Sequence, residues 1–191
     1  MKFRLVLMTA GIAFGAAACN DPNENTGLLT VVADTLTVYA LTGTAPSFPS
    51  GYASARGAVT RVDGGFNFDI AFDIANENQV VVYPQRLIGI AGPPFGPKPV
   101  GIQRLTVPFN DLGRAPASGY AFDSSFVVAP GEGLVLQVQE PAECSIYFSV
   151  LRYTKLVVDS IDASRRAIFF HSVHNPNCGF RSLVPGEVPR N

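Results

Sequence analysis

From Leu28 onward, apolar and polar residues tend to alternate along the chain. The clearest stretch is residues 65–75, where Phe66, Phe68, Ile70, Phe72 and Ile74 alternate with Asn67, Asp69, Ala71, Asp73 and Ala75. A period of two puts all five large apolar side chains on one face of a strand, whereas a helix would scatter them around its circumference. The pattern predicts a strand with one buried face and one solvated face that carries Asp69 and Asp73. Residues 29–41, rich in Val, Thr and Leu, read as two strands broken near Ala33-Asp34. Residues 57–62 lead through Asp63-Gly64-Gly65 into the Phe-rich strand, and Asp-Gly between such runs is a hairpin signal. Further strands are predicted over residues 79–83, 85–90, 101–107, 120–128, 133–139, 145–153, 155–161 and 166–173. Asp162-Ala163-Ser164-Arg165 is the turn between the last two.

No segment carries a 3.6-residue apolar stripe with caps. About ten strands, split by Gly and Pro at roughly 8–12-residue spacing, predict an all-β chain. Its architecture is a single antiparallel β-sandwich, Ig-like or jelly-roll-like, over residues 28–184. Residues 91–101 (AGPPFGPKPVG) hold four prolines, so they form a stiff excursion rather than a central strand. Residues 185–191 are expected to fray.

The N-terminus follows a different rule. Lys2 and Arg4 precede an apolar run of fourteen residues, 5–18, which ends in Gly15-Ala16-Ala17-Ala18 before Cys19. Residues 1–18 thus have the layout of a secretory signal peptide, and the run is too short for an ordinary transmembrane helix. The segment also resembles the lipobox of bacterial lipoproteins, with Ala16 where that class usually has Leu. The resemblance covers only residues 1 to about 20 and leaves the mature domain unassigned. It implies cleavage before Cys19, lipidation of its thiol and a membrane anchor. In that class an Asp directly after the cysteine often marks inner-membrane retention; Asn20 stands there, so the resemblance implies the outer membrane. Ala16-Ala17-Ala18 also satisfies the ordinary A-x-A rule, which would release a soluble periplasmic or secreted protein. Residues 19–27 (CNDPNENTG) are expected to form the anchor cysteine and a flexible tether.

Composition narrows the function. Of 191 residues, 47% are hydrophobic and 15% charged, the formal net charge is -1, and there is no Trp. That apolar fraction excludes wholesale disorder, and the neutral balance gives no basic surface for nucleic acid. There is no G-x-G-x-x-G or Walker loop, so neither a nucleotide nor another cofactor is expected. The cysteines are Cys19, Cys144 and Cys178. With Cys19 lipidated, Cys144 and Cys178 are left to pair as a disulfide in an oxidising compartment.

Candidate chemistry is sparse. His171, His174 and Cys178 are suitable zinc ligands, but an odd separation along a strand points the two histidines to opposite faces, and a metal would compete with the disulfide for Cys178. Asp69 and Asp73 would stand about 13 Å apart on one strand face, too far for a carboxylate acid/base pair. Tyr52 and Phe95 lie in Gly/Pro/Ser-rich segments and are candidate exposed aromatics of a binding loop. The expectation is a lipid-anchored envelope module that binds a protein or glycan partner through loops such as residues 91–101. The alternative is an envelope hydrolase or metal-dependent enzyme that uses His171 or His174. The two differ by one observation: an enzyme needs a concave pocket that brings a histidine within hydrogen-bond reach of a carboxylate or nucleophile.

Overall fold

The computed structural model describes residues 26–62, 67–89, 98–147 and 149–190. Ten strands form two five-stranded sheets, and every pairing is antiparallel. The strands are β1 (Val32–Tyr39), β2 (Gly51–Ala53), β3 (Ala58–Thr60), β4 (Ile70–Asn76), β5 (Gln79–Pro84), β6 (Val100–Arg104), β7 (Phe126–Val128), β8 (Gly133–Gln139), β9 (Leu151–Asp162) and β10 (Ala167–Asn175). The larger sheet has the order β1-β10-β9-β8-β6 and the smaller β3-β2-β4-β5-β7. The architecture is the expected β-sandwich. Among the described residues no helix is long and apolar enough to cross a membrane.

The alternation explains the core. Ile70, Phe72, Val80 and Val82 of the smaller sheet meet Leu134, Leu136, Leu156, Val158, Ile168 and Phe170 of the larger one, all buried. Phe72 stacks on Phe170 with ring centroids 5.1 Å apart. The outer face of the larger sheet does not face water throughout. Residues Val135, Tyr153 and Val173 are covered by Leu105, Phe109, Leu112, Ala115 and Leu183, which come from the connection after β6 and from the C-terminal segment. This second apolar layer explains why the larger sheet's strands read as more continuously apolar than a half-exposed strand would.

Several elements differ from expectation. Residues 29–41 give one strand, β1, because Ala33 and Asp34 both continue the ladder against β10. Residues 85–89 of the predicted strand 85–90 are not a strand. Gln85–Leu87 form a 3-10 turn after Pro84. The predicted strand at 155–161 belongs to a longer strand, β9, which begins at Leu151; of the predicted strand at 145–153 only residues 151–153 are strand, and 145–147 are turn. β2 was not visible in the sequence.

The tail is not frayed as expected. Val31 donates its amide to Glu187 O at 2.8 Å and accepts from Gly186 N at 2.8 Å, and Gly27 N donates to Pro189 O at 2.7 Å. Pairing the tail with residues 27–31 satisfies backbone groups that a frayed tail would leave to water. The same bonds tie down Thr26 and Gly27, the end of the predicted tether.

Tyr52 requires a correction: it is fully buried, not a loop aromatic. It sits in β2 between the sheets, edge-on to Phe170 at 5.3 Å, with its hydroxyl 2.8 Å from Ser172 Oγ. The small neighbours that suggested a loop serve close packing. A side chain at Gly51 would put its Cβ 2.9 Å from that of Phe68. Phe66, the Asp63-Gly64-Gly65 hairpin, Phe95, most of the Pro-rich excursion and Cys19 lie outside the described residues.

Candidate functional site

The functional candidate is an open cleft of about 330 Å³ on the outer face of the larger sheet. Its floor is formed where β1, β10 and β9 run side by side. Its rim comes from the 3-10 turn Phe109–Asp111 and from Leu183, Val184 and Pro185. Thr35, Phe109, Asn110, Lys155 and His171 line it.

His171 is held in place from two sides. Its Nδ1 lies 2.6 Å from Asp159 Oδ1, and its ring meets Phe109 edge to face at 4.5 Å. With Nδ1 so engaged, Nε2 is the nitrogen left for a ligand. The pair exists because β9 carries a bulge. Phe169 pairs with Ser160, whereas Phe170 pairs with Val158, so Asp159 has no partner of its own. Ile161 and Val158 both pack toward the core, and the extra residue between them turns Asp159 outward beside Ser160. Bulges re-aim side chains in this way.

Lys155 shapes the rim. It points outward from β9 and is nearly fully buried beneath the 3-10 turn. Its Nζ donates to Phe109 O at 2.8 Å and Leu112 O at 2.9 Å and lies 4.6 Å from the Phe109 ring centre. Burial lowers its pKa below the usual lysine value, against an opposing pull from Asp111. The ammonium therefore secures the turn that carries Phe109 and Asn110.

His174 lies on the other face. It is buried against the 3-10 turn Ser54–Arg56, with Nδ1 3.4 Å from Asp34 Oδ2 and no hydrogen bond to that nitrogen among the described residues. Gly57, at φ +62°, closes over it. A Cβ there would stand 2.3 Å from His174 Cε1. Burial depresses the His174 pKa. The Asp34 carboxylate opposes the shift, and Arg152 adds to it. His171 and His174 thus do not converge on one metal, and Cys178 is in a disulfide with Cys144, Cα to Cα 5.7 Å. Among the described residues no three His, Cys, Asp or Glu side chains gather as a metal site.

Asp69 requires a second correction. It is fully buried rather than solvated. Oδ2 accepts from Ser54 N at 2.6 Å and Ser54 Oγ at 2.7 Å, while Oδ1 accepts from Lys98 Nζ at 2.8 Å. Lys98 Nζ also donates to Glu140 Oε1 at 2.7 Å. Burial works against the charged lysine, but the two carboxylates outweigh it and raise its pKa. Burial also raises that of Glu140, against the pull of Lys98. This group joins the start of β4 to the end of β8, so its role is to tie the sheets together. Asp73 is partly buried and pairs with Arg166 at 3.2 Å.

No family model matches the chain, and no curated protein matches it.

Proposed function

We propose that this is an exported, lipid-anchored module of the cell envelope, held through Cys19 and favouring the outer membrane, whose β-sandwich binds an envelope glycan or protein segment in the His171 cleft. The carrying observation is the cleft itself. It is concave and open, walled by Phe109, and presents Thr35 and His171 on a rigid sheet with Asn110 on the 3-10 turn above them. Such a mixture of an apolar wall and a few fixed polar groups suits recognition of a polar ligand with an apolar face. The anchor part rests on the signal-like residues 1–18 and on the disulfide, which accounts for both other cysteines.

A catalytic reading meets the requirement stated for it: the cleft holds His171, whose Nδ1 lies 2.6 Å from Asp159 Oδ1, the arrangement that orients a general base. Among the described residues no serine, threonine or cysteine is hydrogen-bonded to His171, so the pair as it stands serves ligand binding more directly than covalent catalysis.

Two measurements test the proposal. The intact mass of protein extracted from membranes should match residues 19–191 plus acyl chains, less two hydrogens for the disulfide. Spectra recorded against envelope glycan fragments and peptides should move resonances of His171 and Phe109, and His171→Ala should abolish the effect. An unacylated mass removes the anchor. Turnover of a fragment that disappears in both His171→Ala and Asp159→Asn would establish the enzyme instead.

A further inference from the structure

Five of the large apolar side chains that remain exposed lie at one end of the sandwich, while others such as Phe48, Val107 and Val127 lie elsewhere. Leu28 is 77% exposed, Leu29 56% and Ile146 86%, with Tyr147 and Val188 also exposed. Their backbones are bound together. Asn177 Oδ1 accepts from the amides of Leu28 and Leu29 at 2.8 and 2.9 Å, and its Nδ2 donates to Leu29 O at 2.7 Å. The next residue, Cys178, is bonded to Cys144, and the Cys144 carbonyl accepts from Tyr147 N at 3.0 Å. Val188 lies in the strap that pairs with residues 26–31. The disulfide, Asn177 and the strap therefore fix these five side chains at a single, rigid end.

The chain path identifies what covers that end. Thr26 enters the fold there, seven residues after Cys19. Seven residues reach at most about 25 Å when fully extended, and a flexible chain of that length spans roughly 15 Å. A lipid on Cys19 would hold this end close to the bilayer surface. The opposite end is a strand length away. β1 begins at Val32 beside this end and finishes at Tyr39, whose ring meets Phe48 at 4.6 Å. Eight strand residues span about 26 Å. The nearby carboxylates are occupied: Glu143 takes Arg56 at 3.0 Å and Arg152 at 2.6 Å, and Glu187 accepts from Ser182 Oγ. Apolar side chains beside a Glu143 paired with two arginines suit the headgroup boundary, where Tyr is at home with its ring in the apolar zone and its hydroxyl in water.

We propose that this end, with Leu28, Leu29, Ile146, Tyr147 and Val188, rests in the interfacial layer of the bilayer as a second, non-covalent membrane contact. The contact fixes how the domain stands on the membrane, with the far loops around Phe48 directed away from it. A tethered surface needs only weak intrinsic affinity, because the anchor supplies a high effective concentration. The proposal rests on the lipid-anchor reading above.

The chain has no Trp, so a single introduced indole reports without background. The acylated full chain is placed in phosphatidylethanolamine/phosphatidylglycerol vesicles carrying brominated acyl chains, as the variants Leu28→Trp, Ile146→Trp and Phe48→Trp. The emission of Leu28→Trp and Ile146→Trp should shift to the blue and be quenched by bromine. Phe48→Trp should show the same emission with and without vesicles and escape bromine quenching. If the intact mass carries acyl chains but Leu28→Trp and Ile146→Trp remain unquenched, the contact is overturned and the anchor stands. A blue shift that grows with protein density without bromine quenching assigns the end to a second copy of the chain and also overturns it. A mass without acyl chains overturns the anchor, and this contact with it.

Discussion

Individual residues in this fold are chosen by what a neighbouring strand or turn requires, as the two histidines illustrate. His171 is oriented by a carboxylate and an aromatic ring and left available at the cleft. His174 is enclosed, and its environment favours the neutral imidazole. That preference has a sign. The folded chain takes up a proton on His174 less readily than the unfolded chain, whose imidazole titrates near the ordinary 6.5. The site's contribution to stability is therefore complete above that value and is lost as pH falls through it toward the lower folded pKa. The melting temperature of the protein should drop between about pH 7.5 and about pH 5. In His174→Gln the same interval should give a smaller drop. An equal drop in both proteins would assign the pH response to other groups. None of this was legible at residue level. A histidine in an alternating strand gives its face but not its cover, and Gly57 sits 117 positions away in sequence from His174. Asp69 misled for a related reason. Alternation predicts water on its side of the strand, yet β4 starts one residue later, and Asp69 instead meets Ser54 and Lys98.

Strands were legible where side-chain period decided them, and obscure where register did. β8 spans the predicted 133–139, and β5 and β10 lie within two residues of their expected limits, because each has a clear apolar face against the core. The candidate dyad depended instead on one bulge. Without it, His171 would pair with Val158, and Asp159 would fall on the core side, since a slip of one residue exchanges the faces of a strand. The sequence held a trace of this: Leu156, Val158 and Ile161 break the period of two at Asp159. The disulfide was legible by arithmetic and has a measurable weight. Cys144 and Cys178 close a 34-residue separation that joins the turn after β8 to the turn after β10. A loop of that size contributes about 4 kcal/mol by restricting the unfolded chain. The double variant Cys144→Ser/Cys178→Ser should lose about that much stability in urea unfolding. A loss below about 1 kcal/mol would mean that the packing of both turns survives without the bond and that the unfolded chain gains little freedom.

At the scale of the whole molecule, the segment before β1 and the C-terminal tail form one structural device. The segment before β1 and the last residues of the chain meet as a short pair of extended strands, joined by Gly186 to Val31, Val31 to Glu187 and Gly27 to Pro189. Beneath this strap lie Val31 and Leu183, both buried in the apolar layer that covers the outer face of the larger sheet and borders the cleft. Local reading missed the strap because a polar, Pro-containing tail has no apolar period, and its partners come from the opposite end of the sequence. Three backbone hydrogen bonds are worth about 1 kcal/mol each, net, and loss of the cover would expose apolar surface as well. Removing residues 186–191 should therefore lower stability by about 3 kcal/mol or more while leaving the core sheets intact. Hydrogen exchange gives the sharper reading. The Val31 amide, bonded only to the strap, should change from protected to freely exchanging, whereas the amide of Ile102, bonded to Ala121 at 2.9 Å, should keep its protection. If Val31 remains protected after truncation, the N-terminal segment holds its place through Asn177 and the disulfide alone. The end that bears Leu28 and Leu29 would then be rigid independently of where the chain finishes.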